Sequence, residues 1–414
     1  MQTHLAPEFR DTREGKAAEA ILRKCVHCGF CTATCPTYQL LGDELDGPRG
    51  RIYQIKQVLE GVPPTRETQL HLDRCLTCRN CETTCPSGVA YGQLVDIGRK
   101  IVEDRVERPR NEKMARWALR EGLTSQMFAP AMKLGQMARA FVPASLKDKV
   151  PAPASARARL WPRREHKRKV LLLMGCVQPS MAPNINSATA RVLDAAGIQT
   201  LVADGAGCCG ALRTHLADTE GGLADMRRNI DAWWPLVEGL TSQGRVEAIV
   251  MNASGCGATV KEYGHALAHD PQYAAKAERV SALTKDLSEL LPGLVQTLKA
   301  RVKKAARPKL AYHPPCSLQH AQQLRGGVEL SLAELGFELR LAHAESHLCC
   351  GSAGTYSVLQ PELSKQLRDR KLKHLAPSEV DAVVSANIGC IQHLQSGTRT
   401  PVRHWVEVLD EALA

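Results

Sequence analysis

The sequence predicts a helical, cysteine-rich module at the N-terminus followed by an α/β domain that occurs twice, each copy built on a parallel sheet. Three observations predict this. Eight of the sixteen cysteines fall within the first 85 residues in two identical spacings. Beyond residue 166, short and nearly continuous apolar runs alternate with helical segments, as strands of a sheet covered on both faces do. Finally, two stretches of that region can be laid on one another, cysteine for cysteine. A chain of 414 residues has room for two or three domains. The expected division is a helical module over 1–105, a connector over 106–165, a first α/β repeat over 166–300 and a second over 301–414.

The N-terminal module comes first. "CVHCGFCTATCP" supplies Cys25, Cys28, Cys31, Cys35 and Pro36, and "CLTCRNCETTCP" supplies Cys75, Cys78, Cys81, Cys85 and Pro86. Both read C-x2-C-x2-C-x3-C-P. That is the two-cluster ferredoxin spacing, in which the fourth cysteine ligates the other cluster. One [4Fe-4S] cluster is therefore expected on Cys25, Cys28, Cys31 and Cys85, and the other on Cys75, Cys78, Cys81 and Cys35. Zinc is the competing reading, but zinc sites favour paired C-x2-C hooks with four ligands each. His27 and Arg79 lie inside the loops, placed either to tune potential or simply to face solvent.

Between the motifs, "PRGRIYQIKQVLEG" sets Ile52, Ile55, Val58 and Leu59 on one side of a helix that Pro48 opens and Gly61 ends. "TRETQLHLDRC" reads as a second helix. The module is thus an α-helical two-cluster ferredoxin domain. Arg49 and Arg51 either support it or face a partner. "YGQLVDIGRKIVEDR" continues as helix, and the connector carries four methionines between 114 and 137, expected to fill gaps between helices. "VPASLKDKVPAPASARARLWP" reads as a linker. The basic run "RREHKRK" suits a solvated boundary or an anionic contact.

In the repeats, a strand runs into Cys176 and another into Cys316. A helix closed by glycine follows, then a second strand leading to Cys208-Cys209-Gly210 or Cys349-Cys350-Gly351. A third strand leads to Cys256 or Cys390. Cysteines at the carboxyl ends of strands lie where open α/β sheets place their sites. Each half gathers four: Cys176, Cys208, Cys209 and Cys256, then Cys316, Cys349, Cys350 and Cys390. His215, His313 and His347 flank them as ligands, proton carriers or loop residues, and His313 in "YHPPC" is the strongest of the three.

Composition narrows the function classes. Sixteen grouped cysteines without an apolar leader favour metal ligation over a disulfide scaffold. The net charge of +11 suits an anionic membrane surface or an acidic protein, and no nucleic-acid partner is expected. No apolar stretch is long enough to span a bilayer. A dinucleotide fingerprint is missing, so hydride chemistry would need a partner's cofactor.

The Cys-Cys-Gly segments resemble the cysteine-rich domain of heterodisulfide-reductase-like proteins, which show Cys, Cys-Cys-Gly and Cys-x-x-Cys twice. The chain departs from that pattern at Ala253 and Asn387, leaving four thiolates per half for one or two further iron-sulfur clusters. Through "CVHCGFCTATCPTY", "DGPRGRIYQIK" and "HLDRCLTCRNCETTCPSGV", and over essentially its full length, the chain resembles the iron-sulfur subunits of bacterial glycolate oxidases (glycolate dehydrogenases). Lactate-utilisation and anaerobic glycerol-3-phosphate dehydrogenase subunits are similar at greater distance. The resemblance implies an electron-transfer subunit in an enzyme complex. FAD sits in partner subunits that oxidise glycolate to glyoxylate, and this chain passes electrons towards quinone or another membrane acceptor. It also implies a cytoplasmic protein, peripheral on the inner face of the membrane, with no catalytic residue of its own. Competing readings are a thiol-disulfide redox subunit and a purely structural assembly subunit.

Overall fold

The computed structural model describes residues 1–125, 127–139, 141, 150, 158–303 and 307–413. The N-terminal module is helical. Thr12 caps the helix Arg13–Lys24 by accepting the Gly15 N–H at 3.1 Å, a contact worth about 1 kcal/mol. Pro48 opens the helix Pro48–Leu59, whose Ile52, Ile55, Val58 and Leu59 pack on Leu94, Val95, Ile101 and Val102 of the helix Tyr91–Arg105. A reciprocal Thr65–Thr68 cap starts the helix Arg66–Asp73. This apolar core holds the two cysteine-bearing loops side by side.

Helices Arg110–Thr124 and Phe128–Met137 follow. Three of the four methionines expected to fill gaps do not: Met114, Met127 and Met137 are exposed, Met137 by 83%, while Met132 is half-buried. The helical pattern was legible, but among the described residues nothing covers these three side chains. Most of the expected linker, 142–149 and 151–157, lies outside the described residues.

Each half of the remainder carries a four-stranded, all-parallel sheet. The first contains β1 (Arg168–Leu172), β2 (Ile198–Leu201), β3 (Ala248–Met251) and β4 (Thr284–Asp286), in the order β2-β1-β3-β4. The second contains β5 (Lys309–Tyr312), β6 (Glu338–Leu341), β7 (Ala382–Ser385) and β8 (Val402–His404), in the matching order β6-β5-β7-β8. The registers match too: Val170 stands opposite Thr200 and Ala248, and Leu310 opposite Leu339 and Ala382. The sequence predicts three strands per half. The fourth, "TKD" or "VRH", is a three-residue edge with no apolar run to betray it. It becomes a strand only because β3 or β7 offers a ladder.

The halves pack by a reciprocal exchange. The helix Asn184–Ala195, which follows β1, lies on Trp405–Leu413, which follows β8. The helix Leu287–Lys299, which follows β4, lies on Gly327–Glu334, which follows β5. One core therefore runs through both halves, from Val170, Ile185 and Leu291 to Leu310, Leu332 and Trp405. Arg191 pairs with Asp410 at 2.6 Å across the joint, and Asn184 donates to Glu407 at 3.0 Å. In each sheet the chain leaves the first strand in one direction and the third extends the other way. Such a switch point opens a crevice at the carboxyl ends of the central strands.

Candidate metal centres

In the N-terminal module both cysteine loops use the same backbone device. The second and fourth residues after the first cysteine are left-handed: His27 (φ 57°) and Gly29 (φ 86°) in one loop, Thr77 (φ 51°) and Arg79 (φ 59°) in the other. Three of these four are not glycine, and side chains held in that region mark sites where the surroundings impose the conformation. The effect is to turn backbone N–H groups inward; the Thr77 N–H points at the Cys75 sulfur at 3.4 Å. Cys35 and Cys85 then precede Pro36 and Pro86.

The structure brings these cysteines together in two sets. Burial, and next the neighbouring Cys25, Cys85 and Cys28, push the Cys31 thiol up to about 11. Burial, then Cys78, Cys75 and Cys35, push Cys81 well up. Each set thus takes three sulfurs from one loop and one from the other. Cys75 differs: burial opposes ionisation, yet Arg51 and Arg99 hold the thiol below its usual range, and the Tyr91 hydroxyl donates to it at 3.5 Å. Crowded thiols that raise one another are a donor set suited to a cation that shares their charge. A recess bounded by Cys25, Cys28, Cys31 and Cys85, with Ile52 and Val89 in its apolar wall, fits a soft-sulfur cluster.

Arg51 settles the open question about its role. It is 1% exposed and pairs with Asp46 at 3.3 Å, and Asp46 also receives Arg74 at 2.8 Å and His71 at 3.1 Å. Arg49 stays at the surface, paired with Glu44 at 2.6 Å.

In the α/β halves the Cys-Cys-Gly turn has a steric cause. Gly210 (φ 93°) and Gly351 (φ 89°) are left-handed, and a Cβ at either would sit 2.8 Å from the Gly222 carbonyl oxygen or 2.5 Å from that of Ser364. Only glycine fits there. The Gly351 N–H then points at the Cys349 sulfur at 3.4 Å, and the Gly210 N–H favours the Cys208 thiolate. Cys256 and Cys390 were expected at strand ends. They lie instead in the first turn of the helices Ser254–Lys261 and Ile388–Gln395, where the N-terminal end of a helix favours a thiolate.

All four predicted cysteines of each half converge. Cys176 meets Cys208, Cys208 meets Cys209, and Cys209 meets Cys256; Cys176 and then Cys209 hold Cys208 low and are themselves pushed up. In the second half Cys316 meets Cys349 at 3.8 Å, Cys349 meets Cys350, and Cys350 meets Cys390. His313 reaches Cys350 and Cys390. His215 does not join its set; it pairs with Asp96 of the N-terminal module at 3.7 Å. His347 uses its carbonyl, which accepts from Asn80 and His320.

Spacing says nothing of how the sets lie relative to one another. Cys78 packs in one apolar cluster with Leu76, Cys316 and Cys349; after burial, Cys316 pushes the Cys78 thiol up, and Cys78 in turn adds to the rise of Cys349. The second N-terminal set therefore abuts the second-half set. Asn80 ties the joint by donating to Thr34 (3.0 Å) and His347 (3.4 Å), and Thr83 meets His320 at 2.9 Å. At the opposite end Cys28 is exposed, flanked by exposed Val26 and Phe30. Arg79, a loop residue in sequence, reaches Glu262 of the first half at 2.8 Å. Among the described residues no helix is long and apolar enough to cross a membrane.

The 4Fe-4S dicluster domain family matches residues 21–89, and the cysteine-rich domain family matches twice, at 170–261 and 310–395. These matches indicate an iron-sulfur protein. The chain is 55% identical to the glycolate oxidase iron-sulfur subunit of Escherichia coli (strain K12), over 100% of this chain and 99% of that one. It is 30% identical to the "Probable glycolate oxidase iron-sulfur subunit" of Bacillus subtilis (strain 168), over 94% and 91%. Lactate utilization protein A of Geobacillus thermodenitrificans (strain NG80-2) is 27% identical over 58% of this chain and 98% of its own length. With two crossed cysteine sets, a duplicated Cys-Cys-Gly domain and full-length identity at this level, the chain belongs to the family of glycolate oxidase iron-sulfur subunits.

Proposed function

We propose that this chain is the electron conduit of a glycolate-oxidising complex, linking FAD-bearing partner subunits to a quinone or other membrane acceptor. The observation that carries the reading is the packing of Cys78, Cys316 and Cys349 in one apolar cluster, which sets the second N-terminal set beside the second-half set. Cys25, Cys28, Cys31 and Cys85 would hold one [4Fe-4S] cluster, and Cys75, Cys78, Cys81 and Cys35 the other. Cys176, Cys208, Cys209 and Cys256, with Cys316, Cys349, Cys350 and Cys390, would hold further iron-sulfur centres. Bound clusters supply one-electron storage and transfer.

The protein's own residues do the rest. Arg51 and Arg99 place buried positive charge beside Cys75, which favours the more negative, reduced state. Leu76, Tyr356, Leu363 and Leu367 exclude water from the joint between sets. Cys28, with Val26 and Phe30, brings one end of the row to the surface, where a partner can approach. The proposed division of the chain remains a ferredoxin module, a connector and two repeats. Association with the cytoplasmic face of the membrane would come through the complex.

The test is an anaerobic redox experiment. Purified alone, the chain should carry cluster absorbance, oxidise no glycolate and stay oxidised with glycolate present. Adding the flavin-bearing subunits should let glycolate reduce the clusters. Glycolate oxidation by the chain alone, or clusters that stay oxidised with the partners present, would overturn the reading.

A further inference from the structure

The second half contains a fifth donor that the first half lacks. His313 directly follows β5, its N–H donates to the Val384 carbonyl at 2.8 Å, and its carbonyl accepts from Ser385 at 2.9 Å. The backbone is thus pinned on both sides, which fixes the direction in which the side chain leaves it. The ring is 1% exposed, and neither ring nitrogen has a hydrogen-bond partner. Buried polar groups are nearly always satisfied, so an orphaned pair on one ring calls for a missing partner. A ring nitrogen and the sulfurs of Cys350 and Cys390 lie within 4.8 Å of one another. Through Cys350 the group continues to Cys349 and Cys316.

The equivalent position in the first half is Leu173, which follows β1 and donates its N–H to the Val250 carbonyl at 3.3 Å. It is buried and apolar. Asn387 cannot take the donor role in the second half as it stands: its amide donates to the Cys390 sulfur at 3.6 Å and its oxygen accepts from Gly255 at 3.4 Å.

We propose that His313 is a metal ligand, giving the second half a mixed cysteine–histidine centre with Cys316, Cys349, Cys350 and Cys390, while the first half keeps a cysteine-only one. This rests on the reading that the second half is loaded with metal. Imidazole nitrogen and thiolate are compatible donors to iron, and replacing thiolate by neutral histidine raises a cluster's potential.

The test uses the complete complex, purified anaerobically, with metal content, midpoint potentials and pulsed EPR on natural and 15N-histidine protein. The Cys350→Ser variant should lower metal content. His313→Leu, which copies the first half, should lower it likewise and remove a histidine-nitrogen coupling from the spectrum. His313→Cys should restore the metal, with a lower midpoint potential because an anionic ligand replaces a neutral one. A His313→Leu protein with full metal content and an unchanged potential overturns the ligand assignment. A metal content that Cys350→Ser leaves unchanged overturns the loading of the second half, and the proposal with it.

Discussion

The two α/β halves share strand order, register and the Cys-Cys-Gly turn, yet they differ at three equivalent positions around the joint. Leu173 in the first half corresponds to His313 in the second. Asn229 corresponds to Lys371, each seven residues beyond the carbonyl that abuts the turn glycine, Gly222 or Ser364. Asp286 corresponds to His404, each closing the fourth strand opposite Met251 or Ser385. Duplication has kept what shapes the cavity and changed what charges it. In the first half Asn229 binds the Cys208 carbonyl at 2.7 Å and Tyr263 binds that of Cys209 at 2.9 Å, and the cation that joins them, Arg228 at 3.1 Å from the Cys208 carbonyl, is half-exposed and paired with Asp225. In the second, buried Lys371 donates to the carbonyls of Glu345 and Ser346, a cation among thiols.

The shared part of this comparison breaks most readily at the turn glycines. In Gly351→Ala the new Cβ meets the Ser364 carbonyl and Leu367 in a left-handed backbone. Strain and overpacking together should cost roughly 3 kcal/mol. Gly210→Ala has a slightly longer approach and should cost roughly 2 kcal/mol. Denaturant unfolding, with metal content alongside, should show each variant losing metal from its own half. Equal tolerance of alanine at both sites would show that the turns do not need glycine.

The charged difference is the next target. Lys371→Met removes one donor each from the half-buried carbonyls of Glu345 and Ser346, which keep the Leu348 N–H and the Gln319 amide, a loss of roughly 1 kcal/mol. It also removes a cation beside Cys350 and Cys349, so the second-half midpoint potential should fall while the first-half value holds. A fall in both, or in neither, would contradict the asymmetry drawn here.

Asp286 and His404 set opposite pH slopes. Burial holds the His404 ring down to about 3, with the Asn252 carbonyl opposing the shift through a 2.9 Å contact. The folded pKa is depressed below the unfolded value, so the neutral ring's contribution is intact above pH 6.5. It is lost as the pH falls towards 3, amounting to about 1.4 kcal/mol by about pH 5.5. Asp286 is raised by burial; its contribution is full below its unfolded value and declines as the pH rises through the folded one. Urea unfolding at the two pH values should show the acid loss, and His404→Gln should flatten it. An unchanged slope in that variant would assign the loss elsewhere.

Much of this was legible in the sequence, because cysteine spacing and apolar runs are local signals. The two loops, the repeat and the convergence of each half's four cysteines follow from residues within one unit. Three things were not. β4 and β8 are edges too short and polar to read. Cys256 and Cys390 sit on helices because the chain turns within three residues of the strand end. The cluster that holds both Cys78 and Cys316 joins residues 238 apart, and no periodicity encodes it. His313 was the strongest of the three histidines by its place in "YHPPC", but only burial and partners show how far His215 and His347 stand from their cysteines.

The N-terminal module treats the halves differently as well, and this supplies the mildest test. Its joint with the second half is apolar and neutral: Leu76 and Cys78 in a packed cluster, Thr83 on His320 and Asn80 on His347. Together with the connector helix, it meets the first half mainly through polar and charged pairs: Arg79–Glu262, Glu121–Arg213 and the Asp96–His215 contact. Partly exposed pairs are weak and screened by salt, so Arg79→Ala should cost about 0.5–1 kcal/mol. Raising the salt to ~1 M, where the screening length is a few ångströms, should mimic that loss. Hydrogen exchange in holoprotein should then quicken around Glu262 and Arg213, while the segment around His320 and Cys349 stays protected. Equal loosening of both joints would mean that the charged contacts carry no separate share of the docking.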